Sequence, residues 1–243
     1  MDFLEAKNLS KSFGGLRVIV DISFSLKDGE TLGIIGPNGS GKTTLFNMIS
    51  GFLKPDNGRL TFLGKDITGK GSSSVCREGI ARTFQIVRPF LQLTTLENVA
   101  AGRAYGRESA DTLKIAAREA GEILDMVGLG PKKAIAAGQL TLLDRKRLEI
   151  ARALATRPKL LLLDEVFAGL NHAEVEEALR LIAAIKGQGI TLMIVEHVIK
   201  VILGVSDRVI VISSGGKIFE GLPKDAIEDS KVCEAYLGEN FCA

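Results

Sequence analysis

Long apolar segments are absent from this 243-residue sequence. The uncharged stretch 134–143 already contains Gly138, Gln139 and Thr141, whereas a helix needs about 20 apolar residues to cross a bilayer. The chain opens as Met-Asp-Phe-Leu-Glu, without the basic region and apolar block of a secretory signal. We therefore expect a cytoplasmic protein with no membrane span of its own.

Cysteine and excess charge are also scarce. The three cysteines, Cys76, Cys233 and Cys242, are odd in number and lack metal-ligand spacing, so we interpret them as reduced thiols. The 31 basic and 29 acidic residues leave a formal net charge of +2, which gives no electrostatic argument for binding nucleic acid or anionic lipid. The 46% of hydrophobic and 25% of charged residues are typical of a globular protein that needs neither disulfides nor metal to fold.

What the sequence has instead is a series of short apolar runs. They predict strands at residues 17–26, 31–35, 59–63, 160–163, 191–195 and 208–212. The runs at 160–163 and 191–195 are continuously apolar, as in strands that are covered on both faces. Between these two runs, residues 173–186 have helical spacing. A strand–helix–strand unit of this kind indicates an α/β fold with a mainly parallel sheet.

The middle of the chain differs in composition. It is rich in alanine and poor in β-branched residues, and 111–127 has helical spacing. We predict one domain, with an α/β core at 1–88 and 158–243 and an inserted helical subdomain at about 89–157. Residues 69–74 are predicted to be a loop by composition. Beyond them, we expect a short strand at 217–220 and one or two helices at 223–237.

A glycine-rich motif follows the predicted strand 31–35 and precedes a helix that starts near Thr44. It matches the phosphate-binding pattern G-x-x-x-x-G-K-[ST] and comprises Gly36, Pro37, Asn38, Gly39, Ser40, Gly41, Lys42 and Thr43. Glycines let the backbone curl so that successive N–H groups converge on phosphate oxygens, and the helix N-terminus adds its dipole. We expect Lys42 to bridge the β- and γ-phosphates of ATP and Thr43 to offer a hydroxyl to Mg²⁺.

Two acidic residues follow the apolar run 160–163. Asp164 and Glu165 are predicted at the carboxyl end of a buried strand, where open α/β sheets bind ligands. Asp164 is a candidate for Mg²⁺ coordination through water, and Glu165 is a candidate general base for an attacking water molecule. The pair would equally suit the cap of the next helix, but its combination with the phosphate loop favours the catalytic interpretation.

Further motifs occur in the order found in ABC ATPases. Residues 140–154, LTLLDRKRLEIARAL, resemble the signature helix of that family, usually written L-S-G-G-Q with a following basic stretch. Phe13 matches the aromatic residue that stacks on adenine, and Gln85 matches the glutamine that links nucleotide to the transmembrane partner. His197 matches the switch histidine at the γ-phosphate, and residues 168–171 lie where the family has its D-loop. The resemblance covers essentially the whole chain and implies an ABC ATPase fold with an N-terminal antiparallel β part.

The resemblance implies a complete site for ATP and Mg²⁺. Its expected catalytic residues are Glu165, His197, Lys42 and Gln85, and its expected metal-binding residues are Thr43, Gln85 and Asp164. Nucleotide binding is expected of Phe13, the loop from Gly36 to Thr43, and Thr44. In the family, two cassettes pair head to tail, so Thr141 is expected to reach the nucleotide of the partner.

The signature departs from the family pattern. Leu142 and Leu143 replace two glycines, Asp144 replaces glutamine, and Asn171 replaces the D-loop aspartate. The leucines would crowd a phosphate, and Asp144 would bring negative charge near it. Either the protein tolerates these changes and hydrolyses ATP, or the ATP site that this chain completes on its partner is catalytically weak. The second hypothesis describes an asymmetric pair, in which this chain works with a partner ATPase that has a better signature.

A single cassette without a membrane segment predicts a free-standing subunit, peripheral on the inner face of the cell membrane. The expected partners are a second ABC ATPase subunit, identical or different, transmembrane permease subunits and an extracytoplasmic solute-binding protein. Residues 81–85, 87–90 and 93–99 are similar to those of branched-chain amino-acid importers. Urea or amide importers and the lipopolysaccharide-export ATPase share some of these features. A nucleotide-binding regulatory subunit without turnover is a further alternative, whereas a permease-free ATPase acting on nucleic acid is disfavoured by the low charge and single cassette.

Overall fold

The computed structural model describes residues 3–167, 169, 171–196 and 199–236, with the backbone alone at 172, 199 and 200. The strands are β1 (Leu4–Phe13), β2 (Leu16–Leu26), β3 (Thr31–Ile35), β4 (Asn57–Phe62), β5 (Lys65–Asp66), β6 (Ile80–Arg82), β7 (Leu160–Asp164), β8 (Thr191–Val195), β9 (Arg208–Ser213) and β10 (Gly216–Gly221). The helices are α1 (Lys42–Ile49), α2 (Ser72–Glu78), α3 (Thr95–Tyr105), α4 (Leu113–Met126), α5 (Leu142–Ala155), α6 (His172–Gly187), α7 (Ile199–Val205), α8 (Pro223–Glu228) and α9 (Ser230–Ala235).

The central sheet has the strand order β10-β9-β3-β8-β7-β6. Strands β9, β3, β8, β7 and β6 are mutually parallel, and β10 alone pairs antiparallel, with β9. Every residue of β3, β7 and β8 is buried, as their continuous apolar sequences predict. Parallel strands end at the same edge, so the segments after β3, β6, β7 and β8 lie together there.

A second, antiparallel sheet of order β2-β1-β4-β5 packs over α1. Leu45 and Phe46 of α1 share one buried core with Leu4 and Leu60 of this sheet and Leu160 of the central sheet. The predicted α/β fold with an N-terminal antiparallel part is confirmed. Helix α1 therefore packs against both sheets, and this packing supports the loop that precedes it.

The stretch 83–159 is described throughout and contains helices but no strand: α3, α4, α5 and two short 3₁₀ turns. None of the described helices is both long and apolar enough to span a bilayer. The prediction of a loop at 69–74 is partly wrong, because α2 begins at Ser72. Burial of Val75 in the core beneath it stabilises a helix that composition alone did not indicate.

The expectation of reduced thiols is wrong for Cys233, which is disulfide-bonded. An odd number of cysteines leaves one unpaired but does not exclude a pair among the others. Cys76 is a free thiol, and partial burial raises its pKa. Cys242 lies outside the described residues.

Candidate active site

The glycine-rich loop runs from the end of β3 to the start of α1. Gly36, Gly39 and Gly41 have φ values of +153°, +78° and +106°, in the region that favours glycine. A Cβ at Gly36 would lie 2.0 Å from the carbonyl oxygen of Ile212, and one at Gly41 would lie 2.7 Å from that of Val18. Among the residues that the structure describes, no side-chain hydrogen bond caps α1, so its first N–H groups are available to an anion.

Lys42 begins α1 and is buried. Its ammonium group donates hydrogen bonds to the carbonyl oxygens of Gly36, at 2.6 Å, and Pro37, at 3.0 Å. These bonds hold the charge over the loop. Thr43 is exposed and Thr44 is half-buried on the first turn of the helix, so the Thr43 hydroxyl can reach a metal ion at the loop.

Asp164 ends β7 and is completely buried. Its Oδ2 atom accepts a hydrogen bond from Arg82 of β6 at 2.7 Å, and its backbone N–H donates to the Thr83 hydroxyl at 3.1 Å. Burial raises the pKa of Asp164, and the charges of Arg82 and Lys42 oppose that rise. The Oδ1 atom is buried and has no hydrogen-bond partner among the described residues.

Glu165 follows in a left-handed backbone conformation, with φ +51°, which is uncommon for a residue other than glycine. Its N–H donates to the carbonyl oxygen of Val195 in β8. Its Oε2 atom accepts a hydrogen bond from the Gln85 side chain at 2.6 Å. The structure therefore brings Gln85 and Glu165 together. Neither acid caps the next helix, because Asn171 caps α6.

The candidate metal ligands fit Mg²⁺ in their chemistry. Asp164 has an unpartnered carboxylate oxygen, and Thr43 and Gln85 add a hydroxyl and an amide oxygen. Mg²⁺ prefers oxygen ligands and keeps several waters while it binds one or two protein groups plus substrate phosphates. Among the described residues, no group of three or more His, Cys, Asp and Glu is placed to hold a metal. A metal at this loop would therefore depend on the nucleotide for much of its shell.

Phe13 lies at the end of β1 with 48% of its surface exposed. An exposed aromatic ring suits stacking on a base. Lys11 lies 5.7 Å from the ring centroid. This exposure agrees with the prediction that Phe13 stacks on adenine.

The signature segment differs from expectation at one residue. Thr141 is the N-cap of α5 and is exposed, as a contact with a partner requires. Asp144, in contrast, is buried; its Oδ2 atom accepts from Lys132 at 2.6 Å and from the Thr141 hydroxyl at 2.7 Å. The expectation that Asp144 brings negative charge near a phosphate does not fit this arrangement, because its carboxylate is buried and pairs with a lysine. Leu142 is 69% exposed.

Asn171 of the D-loop is the N-cap of α6. Its Oδ1 atom accepts hydrogen bonds from the N–H groups of Ala173 and Glu174, each at 3.0 Å. His197, the expected switch histidine, lies outside the described residues, as do positions 168 and 170. The residue before the histidine, Glu196, is buried and accepts a hydrogen bond from the N–H of Phe167 at 2.7 Å, which joins the segments after β7 and β8.

Sequence reasoning missed Arg82 and Glu196. Arg82 is a lone cation on a short, otherwise apolar strand just before Gln85. A buried arginine needs an anionic partner, so its position in the strand was a usable signal. Glu196 directly follows a continuously apolar strand, as Asp164 does, and the same argument would have identified it.

The model of the ABC transporter family matches residues 19–168, more than half of the chain. The chain belongs to the ABC transporter family. As an ABC ATPase it binds ATP, and its activity is ATP hydrolysis coupled to transport. The family predicted from the motifs is thereby confirmed.

Curated relatives of this ABC ATPase align over nearly its whole length. It is 35% identical to the high-affinity branched-chain amino acid transport ATP-binding protein LivG of Salmonella typhimurium, over 97% of this chain and 98% of the relative. It is 37% identical to the probable branched-chain amino acid transport ATP-binding protein LivG of Archaeoglobus fulgidus, over 98% and 96%.

Solved structures agree with these relatives. The ADP conformation of MJ1267, an ATP-binding cassette of an ABC transporter, superposes with a TM-score of 0.88 at 36% identity and covers 98% of this chain and 100% of that one. The dimeric post-hydrolysis state of the cassette MJ0796, bound to ADP and Pi, superposes with a TM-score of 0.82 at 26% identity, over 90% and 98%.

Proposed function

We propose that this ABC ATPase powers the uptake of branched-chain amino acids through a membrane permease. The observation that carries the proposal is full-length similarity, at 35% and 37% identity, to two ATP-binding proteins named for branched-chain amino acid transport. The residues that resemble importers at 81–99 support the same substrate class. Urea, amide and lipopolysaccharide systems are the alternatives, and the test below separates urea uptake from amino-acid uptake.

The proposed catalytic sequence begins at the phosphate loop. Its N–H groups and Lys42 hold the β- and γ-phosphates, and Phe13 stacks on adenine. Mg²⁺, held by Thr43 and Asp164, would offset the charge that develops on the phosphates. Glu165 then accepts a proton from the attacking water as the water oxygen bonds to the γ-phosphorus, while the bond from that phosphorus to the β,γ-bridging oxygen breaks and ADP leaves. The hydrogen bond from Gln85 orients the Glu165 carboxylate.

Gln85 completes this proposal as a metal ligand and as the link to the permease. It lies three residues after the end of β6 and contacts Glu165, so a movement of its segment changes the position of the base. His197 is proposed to contact the γ-phosphate.

The proposed assembly has two cassettes, transmembrane permease subunits and an extracytoplasmic solute-binding protein. A second ABC ATPase subunit pairs head to tail, so that Thr141 reaches its nucleotide; the exposure of Thr141 supports this role. A solute-binding protein delivers the amino acid outside the cell. The chain itself lies in the cytoplasm, peripheral to the membrane.

An aromatic cleft that includes Phe84, the residue before Gln85, supports docking on a permease. It is lined by Phe52, Phe90 and Tyr105 together with Glu149 and Arg152, and the three rings are 57%, 52% and 84% exposed. Exposed apolar surface of this kind marks interaction sites. Burial raises the pKa of Glu149 at the cleft, although Arg152 pairs with it at 2.8 Å.

The proposal is tested in proteoliposomes that contain the chain with its co-purified membrane subunits. Leucine-loaded solute-binding protein is expected to stimulate phosphate release, and the Glu165→Gln variant is expected to bind ATP without releasing phosphate. Lys42→Ala is expected to lose nucleotide binding. Stimulation by a urea-loaded protein but not by a leucine-loaded one would overturn the substrate class, and full turnover of Glu165→Gln would remove Glu165 from the role of base.

A further inference from the structure

Arg82 joins three elements of the active site through one side chain. Its guanidinium donates to Asp164 Oδ2 of β7 at 2.7 Å and, from its other terminal nitrogen, to Asn47 Oδ1 at 2.5 Å and Ser50 Oγ at 3.3 Å. Asn47 lies on α1, and Ser50 directly follows it. The side chain of Arg82 is only 4% exposed and that of Asp164 only 1%.

The ring contacts around the guanidinium add a second restraint. Its central carbon lies 5.8 Å from the ring centroid of Phe46 and 5.2 Å from that of Phe84. A planar guanidinium stacks on aromatic rings and offers hydrogen bonds in fixed directions, whereas a lysine ammonium is a flexible point charge. Arg82 is therefore held in one orientation and can impose that orientation on its carboxylate partner.

The bond from Arg82 occupies one oxygen of Asp164 and leaves the other, Oδ1, without a partner among the described residues. Rotation of the carboxylate would exchange the two oxygens or turn both away from the phosphate loop. Partners that hydrogen-bond a metal-binding carboxylate fix the direction in which its free oxygen faces.

We propose that Arg82 is a positioning residue, which holds Asp164 so that Oδ1 faces the Mg²⁺ of bound nucleotide and ties that carboxylate to α1 through Asn47. The inference rests on the proposed metal role of Asp164. Arg82 is three positions before Gln85, and Gln85 contacts Glu165, so one short segment of chain holds both acids of the site.

The test measures how much Mg²⁺ strengthens the binding of a fluorescent ATP analogue to the purified chain. Affinity is determined with Mg²⁺ and with a chelator, and their ratio is the Mg²⁺ enhancement. In Arg82→Met the enhancement is expected to fall by about tenfold, the usual scale for losing a partner of a metal ligand. Affinity in chelator is expected to stay unchanged, because Arg82 does not touch the nucleotide loop.

Two further variants test the proposal even if Arg82→Met does not fold. Arg82→Lys keeps a charge beside Asp164 but cannot also reach Asn47, so its enhancement is expected to lie between those of wild type and Arg82→Met. Asn47→Ala releases the far end of the guanidinium without touching the acid and is expected to lower the enhancement in the same direction.

The matched control is Arg103→Met. Arg103 is also buried and also pairs with a carboxylate, that of Glu119, but it lies on α3. This variant is expected to unfold at a lower temperature than wild type while its Mg²⁺ enhancement stays the same.

A double variant decides whether Arg82 acts through Asp164. In an Asp164→Asn background, Arg82→Met is expected to cause no further loss of enhancement, because residues that act as a unit are not additive. Wild-type enhancement in folded Arg82→Met, or an equal further loss in the double variant, would overturn the inference alone. If Mg²⁺ does not change the nucleotide affinity of the wild-type chain, the proposed metal site is overturned, and the inference with it.

Discussion

Asp144 occupies the position at which the family signature has a glutamine. As the third residue of α5 it accepts a hydrogen bond from the Thr141 hydroxyl, and the Lys132 ammonium group pairs with its carboxylate at 2.6 Å. Burial favours the protonated form of Asp144, but these contacts outweigh it and hold its pKa below the ordinary value. The residue therefore stabilises the start of the signature helix and keeps negative charge away from its exposed face.

This arrangement predicts a stability effect that depends on pH. Because the folded-state pKa of Asp144 is lowered, its contribution is fully present above the ordinary aspartate pKa and is lost as the pH falls through the folded-state value. Asp144→Asn is expected to lower the free energy of unfolding by about 1–2 kcal/mol at pH 7. The difference from wild type should shrink steadily below about pH 4.

The measurement is urea unfolding at pH 7 and at pH 3. Asp111→Asn is the control, because Asp111 is exposed and precedes the helix α4 rather than lying inside one; it should match wild type at both pH values. A loss for Asp144→Asn that is equal at both pH values would contradict the assignment of an ionised, paired carboxylate.

At the scale of elements, helix α6 begins after Asn171 of the D-loop, a position at which this family usually has aspartate. The Asn171 side chain accepts hydrogen bonds from the N–H groups of Ala173 and Glu174. The Glu174 carboxylate in turn accepts a hydrogen bond from the N–H of Asn171 at 2.7 Å. This reciprocal capping box satisfies donors that a helix start otherwise leaves without partners. Asparagine in place of aspartate therefore still caps the start of α6.

We expect Asn171→Asp to keep the stability of wild type and Asn171→Ala to lose about 1 kcal/mol, because aspartate and asparagine cap helices equally well and alanine does not. Chemical denaturation of the three proteins measures the difference. Equal stability of the alanine variant and wild type would show that this cap adds nothing. The ATPase rate of Asn171→Asp, measured on the same samples, shows whether the departure affects turnover independently of folding.

At the scale of the whole molecule, the exposed start of α5 is the surface proposed to close over the nucleotide of a partner. Leu142 is the first residue of the helix and is 69% exposed. A glycine there would allow the closest backbone approach, because it has no Cβ. The hypothesis of an asymmetric pair predicts that two copies of this chain alone close poorly.

We expect the Glu165→Gln protein to stay largely monomeric with Mg-ATP, and Leu142→Gly in that background to shift it toward a dimer. Light scattering with and without Mg-ATP measures the molar mass. Leu113→Gly is the matched control, because Leu113 is also the first residue of a helix with a threonine N-cap and is 77% exposed. A dimer of the Glu165→Gln protein before any glycine is introduced would contradict the asymmetric pair.

Much of the site was predictable because its parts are local. The phosphate loop lies within eight consecutive residues between β3 and α1, and Asp164 follows a continuously apolar run. Elements with weaker patterns were missed or misjudged: the first turn of α2 was predicted as part of a loop, and the short β6 was not identified. Their stability comes from burial against distant segments, as at Val75 and Ile80, which local composition does not show.

The sequence by itself determined the family, the phosphate loop and the acidic pair Asp164 and Glu165, because each is carried by short motifs of residues adjacent in the chain. The tertiary structure alone decided which side chains meet. Arg82 and Asp164 are 82 positions apart, Gln85 and Glu165 are 80 apart, and the inward turn of Asp144 depends on Lys132 from another segment. Parallel strands bring the first two pairs to one edge of the sheet, whereas Lys132 and Asp144 meet within the helical stretch. Burial makes a charged partner necessary for a buried charge such as that of Asp164.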